Sequence, residues 1–205
     1  MRALLKTVAS AVAWVFTAPL AYPIRWMTPF DRYDHWFRFG SQVVSIIPGT
    51  IGVYMRRQYY RVVLDGTLED LVVEFGTIFA RRGTQIGSNV YIGAYCTIGL
   101  STIEDDVLIG SSVDIVSGKR VHYFDRVDVP IRLQGGELEQ ITIGRNSWLG
   151  NKVVVMAPVG TGCVVGAGSI VTSPCEAESI YAGNPARRIR SRAGHSAVVE
   201  GHKQQ

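Results

Sequence analysis

Between Thr84 and Pro174 the chain repeats one short phrase, an aliphatic residue, a glycine and a small or polar filler, at intervals of six residues. Ile86-Gly87, Ile92-Gly93 and Ile98-Gly99 open the series, and Ile103, Ile109-Gly110 and Ile115 follow after a one-residue slip. The beat resumes at Ile143-Gly144, Leu149-Gly150 and Val155, then at Val159-Gly160, Val165-Gly166 and Val171. A helix repeats its faces every ~3.6 residues and a strand about every 2. A six-residue beat punctuated by glycine belongs instead to short strands joined by corners and stacked into a solenoid.

A second register agrees with the first. Four residues after each anchor stand Val90, Cys96, Thr102, Val107, Val113, Ser147, Val153, Val159, Cys163, Ser169 and Cys175. All are small or β-branched, as the narrow interior of a prism requires. The anchor fills the core, and the glycine after it turns the corner at little steric cost. Three hexads per coil give a parallel β-helix, mainly β in class. This class winds left-handedly, against the usual right-handed crossover.

Composition narrows the function. The net charge is +4, with arginines gathered at Arg56, Arg57 and Arg61, at Arg81 and Arg82, and at Arg187, Arg188, Arg190 and Arg192. No zinc-finger spacing, RNA-binding aromatic motif or helix-turn-helix pattern accompanies them, so nucleic acid is not an expected partner. Small anions or anionic lipid suit such clusters better. The three cysteines, Cys96, Cys163 and Cys175, all fall on the interior register. Their odd number and placement predict reduced core thiols in a cytoplasmic protein rather than disulfides.

The first 60 residues differ in kind. Thr7 to Ile24 and Phe39 to Met55 carry no charge, and each run contains breakers: Pro19 and Pro23, then Pro48-Gly49. Trp26, Trp36, Tyr59 and Tyr60 stand beside arginines at the flanks, a pattern suited to a membrane interface. The expectation is an apolar helical segment over 1–60, attached to the inner face of the cytoplasmic membrane by broken helices in the leaflet, with a single membrane span or a cap on the solenoid as the alternatives. Strand-like stretches at Arg61–Leu64, Leu71–Phe75 and Thr77–Ala80 lead into a β-helix domain over 61–192, whose end is capped by Glu176 to Arg192. Residues 193–205 form a polar tail.

The repeat fails once at length, between Val116 and Ile141. A break in a regular solenoid is a loop on one face, often the functional one. The loop over 117–140 holds His122, the one histidine within the repeat, and histidine is the side chain best suited to accept a proton near neutral pH.

The stretch from Val113 to Arg190 resembles the trimeric hexapeptide-repeat acyltransferases, in particular the sugar O-acetyltransferases of surface-polysaccharide and colanic-acid-type biosynthesis. The matching residues are Ser117-Gly118 with His122 and Asp125, Pro130-Ile131, Gln134-Gly135-Gly136 and Ile143 to Gly150. Val165-Gly166-Ala167-Gly168-Ser169 and Ala182-Gly183-Asn184-Pro185-Ala186 complete the set. The resemblance implies that His122 is the general base that activates a glycan hydroxyl for attack on acetyl-CoA, with no covalent enzyme intermediate. Asp125 or Asp114 would orient it. Trp148 matches an aromatic wall near acceptor and thioester, and Asn151 a polar contact beside it. Ala167 and Thr172 match positions along the pantetheine arm, and Arg187 and Arg190 residues near the CoA phosphates. The resemblance also implies a homotrimer and no metal. The chain departs from the family in placing Lys119, Arg120 and Val121 between Ser-Gly and the histidine, and in carrying Ser173 where a basic residue often follows the threonine.

Two other functions compete with this one. A γ-class carbonic anhydrase uses the same scaffold but needs several converging histidines, and three of the four here, His35, His195 and His202, lie outside the repeat. A non-catalytic solenoid that binds partners at the membrane is the second.

Overall fold

A computed structural model describes residues 2–27, 30–31 and 33–193. The repeat is realised as a parallel solenoid of three sheets, and the strands of successive coils stack in register. The first sheet holds β1 (Asp65–Gly66), β4 (Gln85–Ile86), β7 (Ser101–Ile103) and β10 (Ile141–Ile143). It is continued by bridges from Ile143 to Val159 and from Val159 to Cys175. The second holds β2 (Val72–Val73), β5 (Tyr91–Ile92), β8 (Leu108–Ile109), β11 (Trp148–Leu149), β13 (Val164–Val165), β15 (Ser179–Gly183) and β16 (Ala186–Ser191). The third holds β3 (Ile78–Phe79), β6 (Thr97–Ile98), β9 (Asp114–Ile115), β12 (Val154–Val155) and β14 (Ile170–Val171). These are faces A, B and C below.

The anchors are the core. Ile86, Ile92, Ile98, Ile103, Ile109, Ile115, Ile143, Leu149, Val155, Val165 and Val171 are all at most 2% exposed. The second register is buried as expected, apart from Thr102. There the one-residue slip turns Ser101 inward, where its hydroxyl donates to the Gly99 carbonyl, and leaves Thr102 outside to accept from Gln140 Nε2 at 2.8 Å. The three cysteines are free and buried. Burial pushes their thiols up, Cys175 to about 12. Corner residues such as Asn89, Asp106, Asn146 and Lys152 take positive φ near 60° to make each turn. Polar side chains tie corner to corner: Asp105 accepts from the Ser88 N–H at 2.8 Å and Glu104 from the Arg145 N–H at 2.7 Å.

Three helices close the first coil. α1 (Arg2–Met27) runs unbroken through Pro19 and Pro23, so the expected break there does not occur. It packs along α3 (Gly49–Val63), and its buried residues Ala13, Thr17, Ala21 and Ile24 are spaced to share one face. α2 (His35–Ser45) ends before Pro48-Gly49, where the expected break does occur. α2 contacts β3 and α3 contacts β2, so the helices sit on the open end of the solenoid. The strand expected at Arg61–Leu64 is instead the end of α3, and the solenoid starts at Asp65, one coil earlier than the glycine beat.

The first arginine cluster is the clamp of this cap, which corrects its reading as an anion site. Arg56 is fully buried, and its Nε donates to the Val73 carbonyl at 2.7 Å while Nη1 donates to Ile47 at 2.7 Å and Val44 at 3.2 Å. Arg57 donates to the Leu71 carbonyl and Arg61 to that of Leu68. These carbonyls belong to the edge of the first coil and the end of α2, where strand and helix leave acceptors unpaired. At the far end, β16 turns back antiparallel on β15 and covers the last coil.

Candidate active site

The loop over 117–140 leaves the corner between faces C and A as an arm of two limbs. Ser117 is buried at its root, accepting from the Leu100 N–H through Oγ at 2.8 Å and from the Glu139 N–H through its carbonyl at 2.9 Å. The limbs are zipped by Glu137 N–H to the Arg120 carbonyl at 2.9 Å and Tyr123 N–H to the Gly135 carbonyl at 3.0 Å. Arg120 pairs with Glu137 at 3.3 Å and lies over the Tyr123 ring. Gly136 lies so close to the other limb that a Cβ there would stand 2.1 Å from the Val121 carbonyl oxygen. Only glycine allows that approach, which fixes the backbone that carries His122.

His122 is exposed and overhangs face C. It lines a hollow of about 420 Å³ with Arg81, Thr97, Asp114, Ser117, Val121 and Leu138 among its walls. Asp114 therefore shares the hollow with His122. Asp125 lies in a separate hollow within the arm, against Arg120, Arg126 and Gln134. The physical cause is the turn of the arm after Tyr123, where Gln134 holds the carbonyls of Arg126 and Val129 at 2.7 and 2.8 Å.

Face C is bordered by two corners. On its B side stand Asn151 and Ala167, one coil apart, with the Gly168 N–H donating to the Asn151 carbonyl at 2.9 Å. Asn151 Oδ1 accepts from the Ser111 N–H at 2.9 Å, so this side chain also locks the corner before it. Gly150 meets Ala167 so closely that a Cβ would lie 2.6 Å from its nitrogen. Gly183 follows Ala167 in this column by register, and Ala182, stacked over Gly166 in the column beside it, pairs with Arg187 on β16. On the A side, Thr172 continues the column of Val116 and Met156, two coils beyond the root of the arm. Arg187 and Arg190 are exposed, and they donate to the carbonyls of their neighbours Ala186 and Ser191. Arg188 and Arg192 are committed to Glu176 and Glu178.

Trp148 lies on another face. It stands half-exposed on face B in a row with Val72, Tyr91, Leu108, Val164 and Ile180. One copy of the chain thus presents His122 and Trp148 on different faces of its prism.

Residues 140–173 match the hexapeptide repeat of succinyl-transferase. The chain carries the hexapeptide repeat. Over 118 residues it is 38% identical to galactoside O-acetyltransferase of Escherichia coli K12, covering 51% of this chain and 55% of that protein. WbbJ of the same strain, described as a candidate lipopolysaccharide biosynthesis O-acetyl transferase, is 31% identical over 122 residues, 56% of this chain and 61% of its own length. The chain thus spans less than two thirds of either relative. Two solved structures share the fold. A maltose O-acetyltransferase from Clostridium difficile 630 aligns with a TM-score of 0.60 at 23% identity, over 74% of this chain and 81% of that one. A hexapeptide-repeat acetyltransferase from Vibrio cholerae, solved with acetyl coenzyme A, aligns at 0.53 and 24% identity, over 66% and 75%. The resemblance read from the motifs is borne out by these relatives.

Sequence reasoning overlooked Thr97 and Leu138 as walls of the His122 hollow, and saw Arg81 only as one member of a basic pair. The available signal was the outward register of face C, in which Ile78, Thr97, Asp114 and Val154 are aligned strand by strand.

Proposed function

We propose that the chain is an acetyl-CoA-dependent O-acetyltransferase acting on a sugar hydroxyl of a surface or lipid-linked glycan. The observation that carries this reading is the placement of His122 and Asp114 in one hollow on face C. In this scheme the His122 imidazole takes the hydroxyl proton as the acceptor oxygen attacks the thioester carbonyl. The tetrahedral intermediate collapses, the C–S bond breaks, and the CoA thiolate recovers the proton from the imidazolium. Asp114 orients the imidazole and stabilises its charged form. Asn151 and Ala167 line one column on which the pantetheine arm can lie, with Thr172 across the face, while Arg187 and Arg190 of β16, at the end of the stack, offer charge to the phosphates.

The working unit is a homotrimer. Trp148 of one copy and His122 of the next meet only if face B of one prism packs against face C of its neighbour. The apolar row on face B supports that contact, and repeated head-to-tail packing closes a ring. The helical cap seats the enzyme on the cytoplasmic leaflet: Trp14, Phe16, Tyr22 and Trp26 of α1 and Trp36, Phe39 and Val43 of α2 are all at least 36% exposed.

The test is to incubate the full chain with acetyl-CoA and a panel of glycans, following CoA release and the mass of the acceptor. The reading requires a mass gain of one acetyl group on an oxygen; no acetyl-CoA binding by calorimetry would favour a non-catalytic scaffold. Membrane seating is read separately, by flotation with anionic vesicles. Trp36→Ser with Phe39→Ser should leave the lipid fraction, and unchanged flotation would remove the membrane from the account.

A further inference from the structure

The hollow under His122 does not end at face C. A second hollow, about 210 Å³, is lined by Arg38 and Gln42 of α2 with Ile78, Phe79, Ala80, Arg81 and Thr97. Ala80, Arg81 and Thr97 are walls of both, so the two hollows adjoin and together make a groove-like path from the helical cap to His122. It follows the row Ile78, Thr97, Asp114, three residues on successive strands. Two strand spacings make that row about 10 Å long.

The ends of this groove differ in charge. Asp114 and His122 both line one end, where the carboxylate can accept from sugar hydroxyls. At the other, Arg81 and Arg82 share one carboxylate, Asp34, at 3.7 and 3.9 Å. Arg38 adds a third guanidinium, so three positive charges face one negative, and Arg38 and Arg81 themselves line the groove. This end abuts α2, whose exposed stripe of Trp36, Phe39 and Val43 lies on the same helix.

We infer that this groove is the acceptor site and that the acceptor is a glycosyl phosphate or diphosphate. Arg38 and Arg81 bind its phosphate oxygens, and the sugar lies along Thr97 toward Asp114 and His122. The arrangement would measure the distance from the phosphate to the reactive hydroxyl and so select which sugar is acetylated. It rests on the reading of His122 as the base. The phosphate can come from a lipid carrier, as the position beside α2 favours, or from a nucleotide.

The experiment is a calorimetric titration of the full chain, saturated with CoA to fill any other diphosphate site, with inorganic pyrophosphate. Wild type should bind, and Arg38→Gln with Arg81→Gln should lose about tenfold or more in affinity. Arg132→Gln, on the exposed part of the arm, should bind like wild type. Thermal melts establish that the variants are folded. His122→Ala should bind pyrophosphate normally, so a failed catalytic reading and a failed groove reading give different patterns. Polyprenyl diphosphate in micelles and uridine diphosphate then separate the two sources by which one the arginine pair discriminates more strongly. No binding of any diphosphate, or binding undiminished in the double variant, overturns the proposal.

Discussion

The coils and the arm over 117–140 are built on opposite terms. A coil repeats its neighbour, and each anchor is buried and each corner hydrogen-bonded to the next. The arm has few residues in the core and is held by limb-to-limb hydrogen bonds, with Phe124, Val127, Ile131 and Leu133 left exposed. The coils therefore supply stability and a rigid face, and the arm supplies a side chain that the repeat could not place. On the proposed reading, chemistry is added as an interruption, at a cost the stacked coils can bear.

Substitutions should separate the two regions, and the largest stability losses belong to the coils and their cap. Arg56→Met leaves buried carbonyls of Val44, Ile47 and Val73 without their donor, and should cost about 3 kcal/mol or more in denaturant unfolding. Ile109→Ala opens a cavity in the stack and should cost about 2–5 kcal/mol. Val127→Ala, on the arm, should stay within about 0.5 kcal/mol. Similar losses at Ile109 and Val127 would end the distinction between wall and arm.

Gly136→Ala inverts the pattern. The added Cβ displaces Val121 and with it His122, so transfer should fall about tenfold or more while the melting temperature hardly moves. A melting point lowered as far as in Ile109→Ala would mean that the arm is part of the structural core.

A subtler effect lies in pH. Burial raises the thiol of Cys175 from 9 to about 12, and it also raises the phenols of Tyr59 and Tyr60. Groups whose folded pKa lies above the unfolded value contribute stability that is complete below the unfolded pKa and lost as pH rises toward the folded one. Unfolding free energy should therefore decline from about pH 9 upward, and Cys175→Ser should flatten part of that decline. The smallest effect is on thiol reactivity. At pH 8 the three cysteines should resist a thiol reagent in the native chain and react on unfolding.

Much of this was legible in the sequence, for one reason: a solenoid turns a linear period into stacked positions. Ile86 through Val171 could be assigned to the core, and the arm located, by counting. Thr102 was misplaced because counting four on from Ile98 passes over the missing residue before Ile103, which gives the interior place to Ser101. Arg56 was misread because charge is visible in a sequence and burial is not. Asp114 and Asp125 were equal candidates because both lie near His122 along the chain. Only the turn of the arm after Tyr123 separates them. Arg38 was invisible as a groove residue, since its place depends on how α2 packs against β3.

The central claim is that His122 performs the proton transfer and takes little part in binding. Acetyl-transfer rate and acetyl-CoA affinity should be measured side by side in wild type and His122→Ala. The account predicts transfer reduced by about 100-fold or more with affinity nearly unchanged. Transfer at the wild-type rate would contradict it.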